Sequence, residues 1–479
     1  MRRRYDLVIV GLGSGGTLAA EFAARTLGLR VAAVERGRIG GDCLWTGCVP
    51  SKTLIASARV AHTVRHAGEF GISVGHPIVD TEAVWRRIHE TQAEIAATDD
   101  SPDRFRRLGV DIYSGTGKLT GPHSVTVASA AVEPDAVPVV LDARFILVCT
   151  GSRPAVPPIA GLAAIDVLTT ENLFELHRPP ASLVVVGGGP IAIEIAQAMV
   201  RLDVATTVLE SAPRVLGNEQ PELADRLTRI LRAEGVQIHT SVTVDSVRRT
   251  EEGVVVATKT GAHVAGGMVI AAGRTPNVES LGLERLGISI APDGVIVDAR
   301  SRTTVPSVYA VGDVASGRPR FTHAAANDAV VAVRDMFFPG RGGAATLVPW
   351  CTFTDPELAH VGATEQQAIE QYGKRSVDVH RHELANNDRA RADGATDGSI
   401  VIVTAKGRIV GAHLLAPCAG ELIHELAIAI TRGIRLSQLS KVVHIYPTIS
   451  TSIGRIAADD IFATAHRYRA LARVNRWKR

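Results

Sequence analysis

The chain has 479 residues, 46% of them hydrophobic and 21% charged, with a formal net charge of +3. That excludes a disordered chain or a disulfide-stapled miniprotein, and the length suits about three domains. With 4% aromatics against 45 glycines, five cysteines and scattered basic residues, neither a secretory scaffold nor a nucleic-acid binder is expected.

In chain order, Met1-Arg2-Arg3-Arg4 has the look of a twin-arginine signal. The apolar run after it, however, leads straight into a glycine-rich turn. It is read as a strand, and the protein is placed in the cytoplasm. No apolar run reaches the roughly 18 residues of a membrane span. The strand 7–10 meets Gly11-Leu12-Gly13-Ser14-Gly15-Gly16, a helix is predicted over 17–27, and a second strand over 31–34 ends at Glu35. This is the dinucleotide-binding pattern: Gly11 for the tight turn, Gly13 for close approach of a pyrophosphate, Gly16 for helix–strand packing, and Glu35 for a ribose hydroxyl.

Helices are predicted over 51–67 and 81–97, and a strand-rich stretch over 110–148 contains Gly117 and runs into Cys149-Thr150-Gly151. The dinucleotide unit then recurs. A strand over 182–186 meets Gly187-Gly188-Gly189-Pro190-Ile191-Ala192, a helix runs to about 201, and a strand over 205–209 ends at Glu210. Two such units imply two nucleotides bound at once. Glu210 would repel a 2′-phosphate and so favours NADH over NADPH, with Arg214 partly offsetting it. Gly273-Arg274 and Gly312-Asp313 follow. From about 346 the pattern changes to strands (399–403, 409–414) and a helix (421–432), read as a separate α+β domain with a helical tail. The last 14 residues hold six Lys/Arg and no acid. They are either solvated surface or a contact for a membrane surface or an acidic partner.

Cys43 and Cys48 stand five apart before a helix, with Lys52 four residues further on. A helix N-terminus and a lysine both favour a thiolate, and such a pair outside a secretory scaffold is read as redox-active. A zinc site would need about four ligands, and no second cysteine pair or His cluster accompanies it. Cys149, Cys351 and Cys418 are expected to be buried. Trp45 either packs against the next helix or shapes access to Cys43.

Together, Cys43-Leu44-Trp45-Thr46-Gly47-Cys48-Val49-Pro50-Ser51-Lys52, the two glycine motifs, Thr150-Gly151, Gly273-Arg274, Gly312-Asp313, Thr352–Glu357 and Tyr446-Pro447-Thr448 stand in family order. The chain resembles the flavoprotein pyridine nucleotide-disulfide oxidoreductases, which include dihydrolipoamide dehydrogenase, glutathione reductase and mercuric reductase. The resemblance implies an α/β fold with two Rossmann-like dinucleotide-binding domains and a C-terminal α+β dimerisation domain. The expected boundaries are 1–152 and 277–345 for FAD, 153–276 for NAD(P)H and 346–479 for the homodimer interface. It implies FAD on Gly11, Gly13, Gly16, Glu35, Gly117, Thr150, Gly151 and Asp313, and NADH or NADPH on Gly187, Gly189, Glu210, Gly273 and Arg274. Cys48 would lie beside the flavin as the thiolate and Cys43 would attack the substrate. Lys52 and Glu194 would tune the flavin. Thr322 and His323 fall where the family approaches it, His323 serving either packing or flavin contact.

Two positions depart from the family pattern. Members that reduce dithiol disulfides carry His-Pro-Thr with a Glu five residues after the His, whereas this chain has Tyr446 and Thr451. A phenol with pKa about 10 is a poor base at pH 7. A Tyr here resembles the mercuric reductase branch, but that branch also uses a C-terminal cysteine pair, and no cysteine follows Cys418. His444, two residues earlier, is not assigned the base role. The expectation is an NAD(P)H oxidoreductase passing electrons through FAD and the Cys43–Cys48 disulfide to a small-molecule acceptor: a metal ion, a quinone or a disulfide. The alternatives are a dihydrolipoamide dehydrogenase with an altered acid–base site and a redox-sensing flavoprotein.

Overall fold

The computed structural model describes residues 2–129, 138–338, 340, 343, 345 and 347–465. The basic stretch 466–479 lies outside them. The described residues divide into two compact units, one built from stretches within 2–187, 198–209 and 242–345, the other from 188–197, 210–241 and 347–465.

In the first unit, five strands run parallel in the order Val110–Gly121, Val31–Glu35, Arg2–Val10, Val139–Val148 and Val308–Ala310. The arginines at the start belong to the first strand, where Arg2, Arg3 and Arg4 pair with Val140, Leu141 and Asp142. Both faces of this sheet are covered, so its strands are apolar without alternation. Leu7 and Ile9 pack on one face with Ala19, Ala20, Ala329 and Val333. Val8 and Val10 pack on the other with Val34, Ile146 and Leu283. Each buried Leu, Ile or Val side chain here contributes about 1.5–3 kcal/mol on burial. Val110–Gly121 leaves the parallel sheet at Gly115 to pair antiparallel with Ser124–Ser129.

A second parallel set, Gly267–Ile270, Ser182–Val186 and Ala205–Leu209, repeats the arrangement. Between Ala205–Leu209 and Gly267–Ile270 the chain makes the meander Val244–Thr250, Gly253–Thr258, Gly261–Ala265. The chain thus carries two Rossmann-like arrangements.

The second unit holds the expected α+β region. Its five-stranded antiparallel sheet has the order Trp350–Thr352, Glu357–Gly362, Arg408–Ala416, Ser399–Ala405, Val377–Glu383. Ile400, Ile402, Ala412 and Leu414 form a core with Ile423 and Leu426 of the helix Ala419–Thr431 and with Ile453 and Ile456 of Thr451–Ala465. Among the described residues no helix is long and apolar enough to cross a membrane.

The expected burial of three cysteines holds only for Cys149. Cys351 is half-buried and Cys418 is exposed. Cys351 lies on an edge strand, where nothing in the sheet covers its outer side. Cys418 has φ +54°, in the turn between the strand Arg408–Ala416 and the helix Ala419–Thr431, and connections of that kind run over the surface.

Candidate redox and nucleotide site

The strands of the first Rossmann sheet all end on one edge, and the predicted residues collect there. Gly11 follows Val10, Thr150 and Gly151 follow the strand ending at Val148, and Asp313 follows the strand ending at Ala310. Gly11 has φ +97°, and a Cβ there would collide with the Cys149 carbonyl. A Cβ at Gly16 would run into the carbonyl oxygen of Gly11, so the helix Ser14–Glu21 sits directly on the turn. At Gly13, by contrast, the nearest atom to an added Cβ is Gly41 Cα at 3.9 Å. Backbone N–H groups are therefore accessible at a helix N-terminus, the environment a pyrophosphate needs. Glu35 ends its strand with Oε2 accepting from Leu12 N at 2.7 Å and Oε1 from Gly37 N at 2.8 Å. It holds the glycine loop and points its carboxylate along the same edge. These features fit the adenosine and pyrophosphate of FAD.

Two of the predicted residues are tied into the protein itself. Gly117 is buried in its strand, where a Cβ would meet Val10 Cγ1 at 3.1 Å and Val34 Cγ1 at 3.3 Å. The hydroxyl of Thr150 donates to Asn277 O at 2.7 Å, and Asn277 Nδ2 donates back to Thr150 O at 3.0 Å. These bonds join the strand end to the return of the chain.

The redox pair lies beside this edge. Cys43 is on the short helix Gly41–Trp45, and Cys48 is the first residue of Cys48–Arg65. That helix begins three residues earlier than the sequence predicts, with Pro50 in its first turn, a position proline favours. Both thiols are free. Cys43 is half-buried and Cys48 exposed, its Sγ 3.4 Å from Thr322 Oγ1. The Cys48 thiol is pulled down to about 6, first by the hydrogen bond from Cys43, then by the Thr322 hydroxyl and the Lys52 charge, against burial. Cys43 is pushed well above the ordinary thiol range, because its ionisation would break that bond and oppose the Cys48 charge. In the reduced pair the proton is therefore favoured on Cys43 and the negative charge on Cys48. Trp45 is pinned by Nε1 donating to Ile39 O at 2.8 Å, under an Arg38 guanidinium 4.0 Å from the ring centre.

Sequence reasoning missed Asp42. Arg274 Nη2 lies 2.8 Å from Asp42 Oδ2 and Nε 3.5 Å from Asp313 Oδ2. Ser152 Oγ accepts from Arg274 Nε at 2.6 Å and donates to Asp313 at 2.6 Å. Arg274 thus links the residue before Cys43 to Asp313 at the strand ends. An aspartate beside a redox cysteine was the available signal. Thr322 and His323 open the helix Thr322–Phe337, both exposed, with His323 stacked on Phe321.

In the second unit, Glu194 is buried and its Oε1 accepts from Phe353 N at 2.8 Å. Gly189 has open space at its Cα. Tyr446 is 71% exposed, next to Ile445 at 79%. Its hydroxyl donates to Asp388 Oδ2 at 3.0 Å, which holds the phenol proton and pushes its pKa up. His444 is nearly covered and lies 3.0 Å from Glu425. Among the described residues no group of three or more His, Cys, Asp or Glu is arranged to hold a metal ion.

Residues 5–329 match the pyridine nucleotide-disulphide oxidoreductase family, and residues 348–457 match its dimerisation domain. A dihydrolipoyl dehydrogenase of Bacillus subtilis is 31% identical over 95% of this chain and 98% of its own. A mercuric reductase of Streptomyces lividans is 35% identical over 94% of each. The Cu(II) complex of the HOCl-induced flavoprotein disulfide reductase RclA from Escherichia coli superposes with a TM-score of 0.83 at 27% identity, over 95% of this chain and 99% of that one. The chain belongs to the pyridine nucleotide-disulfide oxidoreductase family and is one of its FAD- and NAD(P)H-dependent enzymes.

Proposed function

We propose that this protein is an NADH-preferring reductase that passes electrons from its Cys43/Cys48 dithiol to a soft metal cation of the Cu(II) or Hg(II) class. One observation carries the choice of acceptor. The exposed group at position 446 is a phenol whose proton Asp388 holds, not an imidazole able to exchange protons near pH 7. A dithiol substrate needs such exchange at the outer thiol, whereas a metal cation is held by sulfur and displaces the proton itself. The names of relatives agree with this choice: mercury for one, a Cu(II) complex for another.

Bound FAD supplies hydride acceptance from NADH and two-electron reduction of the cysteine pair. In the reduced pair, Cys48 holds the thiolate and Cys43 the proton. A cation binding both sulfurs releases the Cys43 proton. Formation of the Sγ–Sγ bond then delivers two electrons, which reduce two Cu(II) to two Cu(I) or one Hg(II) to Hg(0). Lys52 stabilises the thiolate, Glu194 anchors the 353 segment, and Thr322 hydrogen-bonds the sulfur. We place the enzyme in the cytoplasm as a homodimer. The dimerisation-domain match and the exposed strip Val443, Ile445 and Tyr446 support the homodimer.

The test is anaerobic oxidation of NADH with a Cu(II) chelate, menadione and oxidised lipoamide. Copper turnover that disappears in both Cys43→Ser and Cys48→Ser, with slow lipoamide turnover, is the expected result. The second reading, a dihydrolipoamide dehydrogenase, is favoured by the identity to enzymes of that name. Lipoamide turnover at ordinary enzyme rates would establish it. Reduction that stops after one equivalent with every acceptor would instead support a redox-sensing role.

A further inference from the structure

The loop after the second glycine turn carries a cation, Arg214, close to Glu210, the acid expected at the adenosine ribose. Leu216 N donates to Gly188 O at 2.8 Å. A Cβ at Gly188 would lie 2.8 Å from Glu210 Cγ and 2.8 Å from Val215 Cγ1. Residues 210–216 therefore fold tightly onto the turn. Glu210 is fixed there, with Oε1 accepting from Ala212 N at 2.6 Å and from Ser211 Oγ at 3.2 Å. A carboxylate at this place accepts from ribose hydroxyls and repels a 2′-phosphate, while an arginine nearby accommodates one.

Arg214 is an arginine in that position, but its guanidinium is engaged elsewhere. Nε donates to Asp225 Oδ1 at 2.7 Å and Nη2 to Asp225 Oδ2 at 3.2 Å. This fork-to-carboxylate geometry fixes direction as well as charge. Asp225 is itself held in place. It lies on the helix Pro221–Ala233, whose other face buries Leu223, Ala224, Leu227 and Leu231.

We infer that Asp225 is a specificity-determining residue for the nicotinamide cofactor: it holds Arg214 away from the place where a 2′-phosphate would sit. Two acids then select NADH by different means, Glu210 by repelling the phosphate and Asp225 by withholding its counter-charge. This inference rests on the NADH preference proposed above.

The experiment compares the purified holoenzyme with Asp225→Asn, Arg214→Ala and the double variant. Titration calorimetry gives the ratio of dissociation constants for 5′-AMP and 2′,5′-ADP, and steady-state kinetics give the NADPH-to-NADH ratio of kcat/KM. Asp225→Asn keeps the side chain's shape at a partly exposed site, and its thermal midpoint checks the fold. Both ratios should move toward the 2′-phosphorylated ligand by about fivefold, the most that an exposed ion pair of ordinary strength withholds. Adding Arg214→Ala should remove the gain. Ratios that stay put in Asp225→Asn overturn the inference. So does a gain that survives in the double variant, since Asp225 would then act by its own charge. A wild type that prefers NADPH overturns the NADH reading and this inference together, whereas failure confined to the variants leaves the NADH reading standing.

Discussion

Replacing Cys43 by alanine removes the largest cause of the low Cys48 pKa and leaves the others in place. In the reduced protein the Cys43 thiol donates to the Cys48 thiolate, and Cys48 titrates at about 6 against an ordinary 9.0. A hydrogen bond to a charged group contributes about 1.5–3 kcal/mol, and one pKa unit corresponds to about 1.4 kcal/mol. The midpoint in Cys43→Ala should therefore rise to about 7 to 8. Thr322 and Lys52 keep it from returning fully to 9. The assay is the rate of iodoacetamide alkylation between pH 4 and 10, in a Cys351→Ser, Cys418→Ser background. Cys149 does not interfere, because it is buried and burial holds its thiol far above the ordinary range. Cys43→Ser retains a donor and should titrate between the wild type and Cys43→Ala. An unchanged or lower midpoint in Cys43→Ala would refute the reasoning and shift the cause to Lys52 and the helix N-terminus.

Arg274→Gln leaves Asp42 and Asp313 without their shared cation. We expect a loss of about 2–3 kcal/mol in urea unfolding, because the guanidinium side chain is only 14% exposed. The Cys48 midpoint should also rise, since Asp42 opposes the thiolate once unpaired; a stability loss with no change in midpoint would confine Arg274 to a structural role. Gly16→Ala drives a methyl group into the Gly11 carbonyl, at a cost of about 1–3 kcal/mol. The flavin-to-protein absorbance ratio should fall with it, and a fully flavinylated variant of normal stability would contradict the tight helix-on-turn packing. His413 is buried against His360 and the Ala363 carbonyl, and burial lowers it to about 3. It folds neutral, so its stabilisation is complete above pH 6.5 and drains away between pH 6.5 and 3, as the unfolded chain takes up the proton first. The slope is at most about 1.4 kcal/mol per pH unit, and His413→Gln should flatten the urea midpoint between pH 6.5 and 4.5.

The Rossmann edge was legible because its constraints are local. A strand, a turn that only glycine fits and a helix N-terminus lie within about ten residues, so Gly11, Gly13 and Gly16 fall where the spacing puts them, and Glu35 ends the next strand of the same unit. The cysteine pair stands within six residues and is visible as a pair, but the Cys43 bond that does most to lower the Cys48 pKa depends on how the helices Gly41–Trp45 and Cys48–Arg65 bring the sulfurs together. What the sequence does not display are pairings between distant residues. Arg274 is paired with Asp42, 232 positions earlier in the chain, and no motif announces that pair. Arg214 looks like a partial match to NADPH until Asp225 is seen to occupy it. In both cases the motif picks out the arginine, and the structure adds an acid that the motif does not contain. An arginine has five donors and one charge, and which acid it meets depends on tertiary contacts that local spacing does not encode. Cys418 failed in a related way: its apolar context pointed inward, but a left-handed turn at the start of a helix put it on the surface. Motif reading is therefore reliable where backbone geometry dictates the residue. Where a charge must choose among partners, that choice is made by the fold.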